Sequence, residues 1–197
     1  LVSPSVVRGE RQKEILIPPG QWVDWWTNEV IDGGESGTSI NREVPLDLLP
    51  MYVKRGALIP LLRPSIDTLS PVGVNVPAAE REIESFADTP GELWVRGYGI
   101  PEEGSPFIWT LYDETRLNYT ARGLSDESGE VFTQGRVYEL RGWDQAPREL
   151  TLNGRELPFA EDQREMLALP QSAWYNPETQ TLWIHHQEQA AQIEWII

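Results

Sequence analysis

Turn residues cut this chain into short runs that alternate between apolar and polar, and few folds accommodate that pattern. Glu14–Ile17, Trp22–Trp26, Ile40–Val44, Leu93–Arg96, Ile108–Tyr112, Arg136–Leu140, Leu150–Leu152, Leu182–His186 and Ile193–Ile196 are runs of this kind. Period two is the mark of a strand with one face turned inward. Pro18-Pro19-Gly20, Asp32-Gly33-Gly34, Thr89-Pro90-Gly91, Asn153-Gly154 and Asn176-Pro177 separate them, and these residue types favour turns. Many short strands joined this way predict an all-β fold, two antiparallel β-sandwich domains in tandem. Ala78–Phe86 and Glu161–Leu169 have helix-forming composition, but flanking prolines restrict each to a turn or two.

The 197 residues are enough for one large core or two small ones. The formal charge of −15 is unevenly spread. Residues 1–66 hold seven Lys/Arg against eight Asp/Glu, whereas residues 67–197 hold nine against 23. Residues 62–78 carry three prolines and no clear period, as a linker or crossover would. The expected division is therefore a domain over 1–66 and another over 67–197. So acidic a chain repels a nucleic-acid backbone, which argues against that partner. No apolar run reaches bilayer length, so no membrane partner is expected. Cysteine is absent, which excludes disulfides and thiolate metal sites. Leu1-Val2-Ser3-Pro4 has no initiator Met and no charged region before an apolar stretch. No signal peptide is read there, and the expectation is a piece of a longer polypeptide.

The residues offer no catalytic constellation. Glu102-Glu103, Asp113-Glu114, Asp126-Glu127 and Glu161-Asp162 are adjacent acids, but neighbours on an extended chain point to opposite faces. They read as solvated loop charge, and a stand-alone hydrolase built on them is the weakest reading. The only histidines, His185 and His186, share one predicted strand. Period two sends one inward and one outward, so they cannot chelate one metal together. Nucleophile-elbow, phosphate-loop and dinucleotide motifs are all missing. The expected site is thus without catalytic residues, cofactor or metal.

Nine tryptophans remain to be explained. Indole faces stack on sugars, but they also fill cores and interfaces. On an unbroken strand, Trp22, Asp24 and Trp26 would share one face, with Val23 and Trp25 on the other. A sandwich strand normally keeps one wet face, so aromatic rings on both imply a second cover. Buried interface is the preferred reading. The alternative is an independent carbohydrate-binding module, with Trp25, Trp94 or Trp109 stacking on an oligosaccharide.

The segment Leu1–Pro60 resembles the stretch that follows the catalytic barrel in glycoside hydrolase family 31, the α-glucosidase and α-xylosidase family. Leu1-Val2-Ser3-Pro4 matches its leucine-valine-x-proline strand, and Ile17-Pro18-Pro19-Gly20-Gln21-Trp22-Val23-Asp24 its proline-x-glycine-x-tryptophan-x-aspartate hairpin. Gly33-Gly34 matches a glycine pair, and Pro45–Pro60 a block ending valine-arginine-x-glycine…isoleucine-proline. Lys54 stands where the family usually has arginine, with Arg55 beside it. In the second half, Leu111-Tyr112-Asp113-Glu114, Tyr119 and Gly123 resemble the family's distal C-terminal domain. Thr115-Arg116 replace the glycine usual after those acids, so no ion contact is assigned to Asp113. The resemblance implies non-catalytic proximal and distal C-terminal domains of a retaining α-glycosidase. The two catalytic aspartates, about 5–5.5 Å apart in retaining chemistry, would sit on a (β/α)8 barrel absent from this chain. That barrel, in the same polypeptide, is the implied partner. Trp22–Trp26 and Pro45–Pro60 are then the implied places for the docking surface and the sandwich core, with Trp22, Asp24, Trp25, Trp26, Lys54 and Arg55 the implied barrel-docking or sugar-contact residues.

Overall fold

Alternation along the strands becomes two sheets packed face to face, with a smaller strand system at the N-terminal end. The computed structural model describes residues 1–70, 83–87, 91–111 and 115–197. In chain order the N-terminal elements are β1 (Gln12–Ile17), β2 (Gln21–Asp24), β3 (Val30–Asp32), β4 (Thr38–Glu43), β5 (Tyr52–Lys54) and β6 (Leu58–Leu61). Then come β7 (Glu92–Tyr98), β8 (Phe107–Leu111), β9 (Thr115–Thr120), β10 (Gly123–Asp126), β11 (Gly135–Arg141), β12 (Glu149–Leu152) and β13 (Arg155–Glu156). The helix α1 (Gln163–Ala168) precedes β14 (Gln171–Asn176), β15 (Thr181–His186) and β16 (Ala191–Ile196). The all-β expectation holds. Among the described residues these strands pair antiparallel, except β7 with β11, which run parallel.

A six-stranded sheet, β13-β12-β16-β10-β9-β8, faces a five-stranded one, β14-β15-β11-β7-β6. Period two puts Leu93, Val95, Leu140, Leu182 and Ile184 on the inner face of the five-stranded sheet. Leu117, Tyr119, Leu124, Leu150, Leu152 and Ile193 answer from the other sheet. Trp143 packs edge-on against Trp195, ring centroids 5.2 Å apart, and Tyr119 does the same from 5.9 Å. Each large side chain buried this way contributes roughly 1.5–3 kcal/mol. Gly97 lies where the inner face is crowded: a Cβ there would stand 2.7 Å from Leu140 Cδ2.

The N-terminal strands close a smaller core. A β1-β4 ladder and a β3-β2-β5 sheet bring together Ile15, Ile17, Ile31 and Tyr52, with Trp22 and Ile40 at the edge. Gly33 makes the hairpin possible, because a Cβ there would meet the Pro18 carbonyl oxygen at 2.1 Å. This accounts physically for the first glycine of the Gly33-Gly34 motif. β6 then leaves the small core and pairs antiparallel with β7 at the edge of the five-stranded sheet.

One sequence expectation changes. The strand expected over Trp22–Trp26 ends at Asp24. The Asp24 carboxylate accepts hydrogen bonds from the Trp26 and Thr27 amides, at 2.8 and 3.0 Å, and Asn28 takes φ of 62°. An aspartate that caps its own downstream amides turns the chain out of the strand, so the two-face argument does not extend to Trp25 and Trp26. α1 has the brevity expected of Glu161–Leu169, with Asp162 as its N-cap. The helix expected over Ala78–Phe86 lies partly outside the described residues, and Ser85–Phe86 within them form a bridge and a turn. Tyr112, Asp113, Glu114 and the start of the Thr89-Pro90-Gly91 turn also lie outside the described residues.

Candidate functional site

The six residues singled out in the sequence sit in four different surroundings. Trp22 leans on the small core, and its Nε1 donates to the Pro18 carbonyl at 3.0 Å. Asp24 is nearly buried and occupied with the turn it caps. Trp25 is covered by the chain itself. Its ring lies 5.3 Å from that of Tyr98 on β7, and the Arg96 guanidinium sits over it at 5.2 Å. Arg96 Nε donates to Glu139 at 2.7 Å, and Arg141 Nε donates to the other oxygen of that carboxylate at 2.6 Å. Arg141 also donates to the Asn28 side chain at 3.4 Å. What packs on this ring is the outer face of the five-stranded sheet.

Trp26 differs. It is 51% exposed, while its Nε1 donates to the Leu49 carbonyl at 2.8 Å and so fixes the ring's orientation. With Asp24, Asn41, Leu48 and Tyr52 it lines a cleft of about 380 Å³. Glu29 and Arg42 pair across that cleft at 2.5 Å. Lys54 and Arg55 face another cleft of about 320 Å³, beside Glu102 and Phe107. There Arg55 donates to Gln21 Oε1 at 2.6 Å.

The sequence pointed to Pro45–Pro60 as a docking stretch, which includes Leu46, Leu48 and Leu49, but not to Val6-Val7 beside it. Val6, Val7 and Leu46 are 82%, 63% and 89% exposed. With Pro45, Leu48 and Leu49, Val7 and Leu46 line a groove of about 520 Å³, and Leu48 continues into the Trp26 cleft. The available signal was Val6-Val7 and Leu48-Leu49, adjacent apolar pairs that no period-two strand can bury together. Arg8, Glu10, Arg11 and Asp47 border the same groove, so its apolar side chains are ringed by charge.

The remaining tryptophans offer less. Trp94 is buried, and Trp109 packs against the sandwich core. Trp174 and Trp183 are half-buried beside Met166 of α1. Adjacent acids do not pair: Asp162 caps α1, Glu103 bridges Arg122, and Asp126 is buried while Glu127 is exposed. The histidines split as period two requires. His185 Nδ1 contacts the Leu169 carbonyl at 2.7 Å, and His186 points into the sandwich. Among the described residues no cluster of three or more His, Cys, Asp or Glu could hold a metal ion, and no helix is long and apolar enough to cross a membrane.

Comparison with known proteins fits this picture. Residues 1–59 match the family model of the glycosyl hydrolase family 31 C-terminal domain. An alpha-xylosidase of Saccharolobus solfataricus is 28% identical over 156 residues, which cover 77% of this chain and 16% of that protein. An isomaltosyltransferase of Sporosarcina globispora is 34% identical over 61 residues, 31% of this chain and 5% of that protein. In fold, the chain resembles a Flavobacterium johnsoniae GH31 dextranase complexed with isomaltotriose, at a TM-score of 0.74 and 14% identity. That likeness covers 100% of this chain and 25% of the dextranase chain. The cycloalternan-forming enzyme of Listeria monocytogenes, in complex with a pentasaccharide substrate, gives a TM-score of 0.71 at 18% identity over 99% of this chain and 18% of its own. The chain thus spans a quarter or less of the length of each of these proteins. Residues 1–59 match the glycosyl hydrolase family 31 C-terminal domain, and over its length the chain is similar to the C-terminal part of larger enzymes of that family.

Proposed function

We propose that this chain is the non-catalytic C-terminal region of a retaining α-glycosidase, and that it packs on and braces a (β/α)8 catalytic barrel of the same polypeptide. The two units are residues 1–66 and 67–197, with β6 of the first inserted into the sheet of the second. The observation that carries the reading is the exposed face of Val6, Val7, Leu46 and the Leu48–Leu49 corner. It lies within the part of the chain that matches the family. Water leaves such a face readily when a partner covers it. Trp26 stands at the rim of this face, in the cleft that Leu48 shares with the groove. The choice among hydrolysis, transfer and sugar type then belongs to the barrel.

The test has two arms. The chain alone, offered nitrophenyl α-glucoside and α-xyloside, should show no turnover. The double substitution Val7→Asp, Leu46→Asp should leave the thermal midpoint of the chain unchanged and abolish its co-purification with a separately produced barrel. Turnover by the chain, or undiminished co-purification, overturns the reading.

A second reading, oligosaccharide contact by the chain itself, is favoured by one observation: Trp26 is half-exposed beside a cleft roomy enough for one sugar ring. Malto-oligosaccharide titration followed by indole fluorescence should then give a change that Trp26→Ala removes. A flat titration at millimolar sugar disposes of it.

A further inference from the structure

We propose that Asp126, Arg136, Tyr138 and His186 form an acid-sensitive latch that joins the two sheets of the sandwich and opens the 127–134 connection when protonated. All four side chains are fully buried. Asp126 comes from the end of β10 in the six-stranded sheet; Arg136 and Tyr138 on β11 and His186 at the end of β15 come from the five-stranded sheet. Asp126 Oδ2 accepts from Arg136 Nε at 3.0 Å and from the Tyr138 hydroxyl at 2.6 Å. Its other oxygen accepts from the Ser128 amide at 2.7 Å. Arg136 Nη1 donates to the Phe132 carbonyl at 2.6 Å. The same two charges therefore clasp the sheets together and hold both ends of the intervening connection.

His186 is what makes the clasp respond to acid. Its ring stacks on Tyr138 at 5.7 Å, and Nε2 stands 3.5 Å from Asp126 Oδ2. Neither ring nitrogen has a hydrogen-bond partner among the described residues, and nor do Arg136 Nη2 and Ser128 Oγ. With His186 neutral, Asp126 and Arg136 cancel. A proton on His186 leaves one unbalanced positive charge in a space closed to water, which is costly until the site hydrates. The charged and titratable groups facing the ring are Asp126, Arg136 and Tyr138, with His185 next along the strand. Burial outweighs the attraction of Asp126 and, with Arg136 and His185, holds the imidazole down to about 4. Burial and the Asp126 charge push the Tyr138 phenol far up, so it stays neutral throughout.

The sign follows from linkage. The opened state binds a proton at the ordinary value near 6.5, whereas the closed state binds it only near 4. Closure is therefore fully favoured above about pH 6.5 and weakens as pH falls toward 4, by roughly two orders of magnitude in the opening constant.

Amide hydrogen exchange on the full chain, corrected for the intrinsic rate, tests this between pH 7 and 4.5. The Ser128, Gly129 and Phe132 amides should lose protection about tens-fold over that range, while Ile15 and Ile31 in the small core hold theirs. His186→Phe should remove the acid dependence of the three amides. Should that variant not fold, the imidazole shift of the native chain serves instead, and it should show a neutral ring at pH 5. Flat protection in the native chain, an unchanged acid dependence in His186→Phe, or a ring that titrates near 6.5 overturns the proposal.

Discussion

Among the described residues, the sandwich buries eighteen in one apolar cluster, whereas the N-terminal strands bury four in theirs. The exposures run the other way. Val6, Val7 and Leu46 stand in water at the N-terminal end, while Trp143, Tyr138 and Leu140 are sealed in the sandwich. A core of four side chains is marginal by itself. The N-terminal strands are therefore held from outside: by β6 in the neighbouring sheet and by Trp25 against Tyr98 and Arg96. One region is stabilised from within and the other by what it leans on.

Substitutions can break that contrast, and the largest effects belong to the sandwich. Trp143→Ala empties a site at the centre of the eighteen-residue cluster and should cost about 3–5 kcal/mol in urea unfolding. Asp126→Asn leaves the Arg136 guanidinium buried without its counter-charge and should cost about 3–5 kcal/mol at neutral pH. A loss under about 1 kcal/mol in either case would mean that the sandwich is less self-sufficient than its burial implies. Trp25→Ala removes an aromatic pair and a cation contact, together worth about 1–2 kcal/mol. Limited proteolysis of that variant should cut the 24–30 turn first. Asp24→Ala uncaps the turn and should cost about 1 kcal/mol. Leu46→Ser should change the stability of the chain by no more than about 0.5 kcal/mol and lower its binding of a hydrophobic dye. Equal losses from Leu46→Ser and Trp143→Ala would erase the comparison.

The fold was legible where period two is strong. β1, β7, β11, β15 and β16 lie close to where alternation puts them. Others escaped notice for physical reasons. β10 reads Gly-Leu-Ser-Asp, turn chemistry by composition, and is a strand because its neighbours β9 and β16 pair with it on both sides. β14 lies between Pro170 and Pro177, and its pairing with β15 overrides that punctuation. The hairpin was legible as a cluster but not as a geometry. A local hydrogen bond to Asp24, invisible to periodicity, decides where Trp25 and Trp26 point. Of the six residues named in advance, the structure gathers Asp24 and Trp26 in one cleft and Lys54 and Arg55 in another. Of the apolar groove, the Pro45–Leu49 side was named in advance, and the Val7 side escaped because it comes from a loop far away in sequence.

β6 has a practical consequence for anyone who dissects this protein. Its four residues lie before position 66, yet their ladder partners lie on β7. A fragment starting at residue 67 would present β7 as a raw hydrogen-bonding edge, an invitation to pair with other copies. In the intact chain that border is β6, and Pro60 within it has no amide to offer a newcomer. A scissor cut meant to give a soluble second half therefore belongs before Leu58, not at the composition boundary.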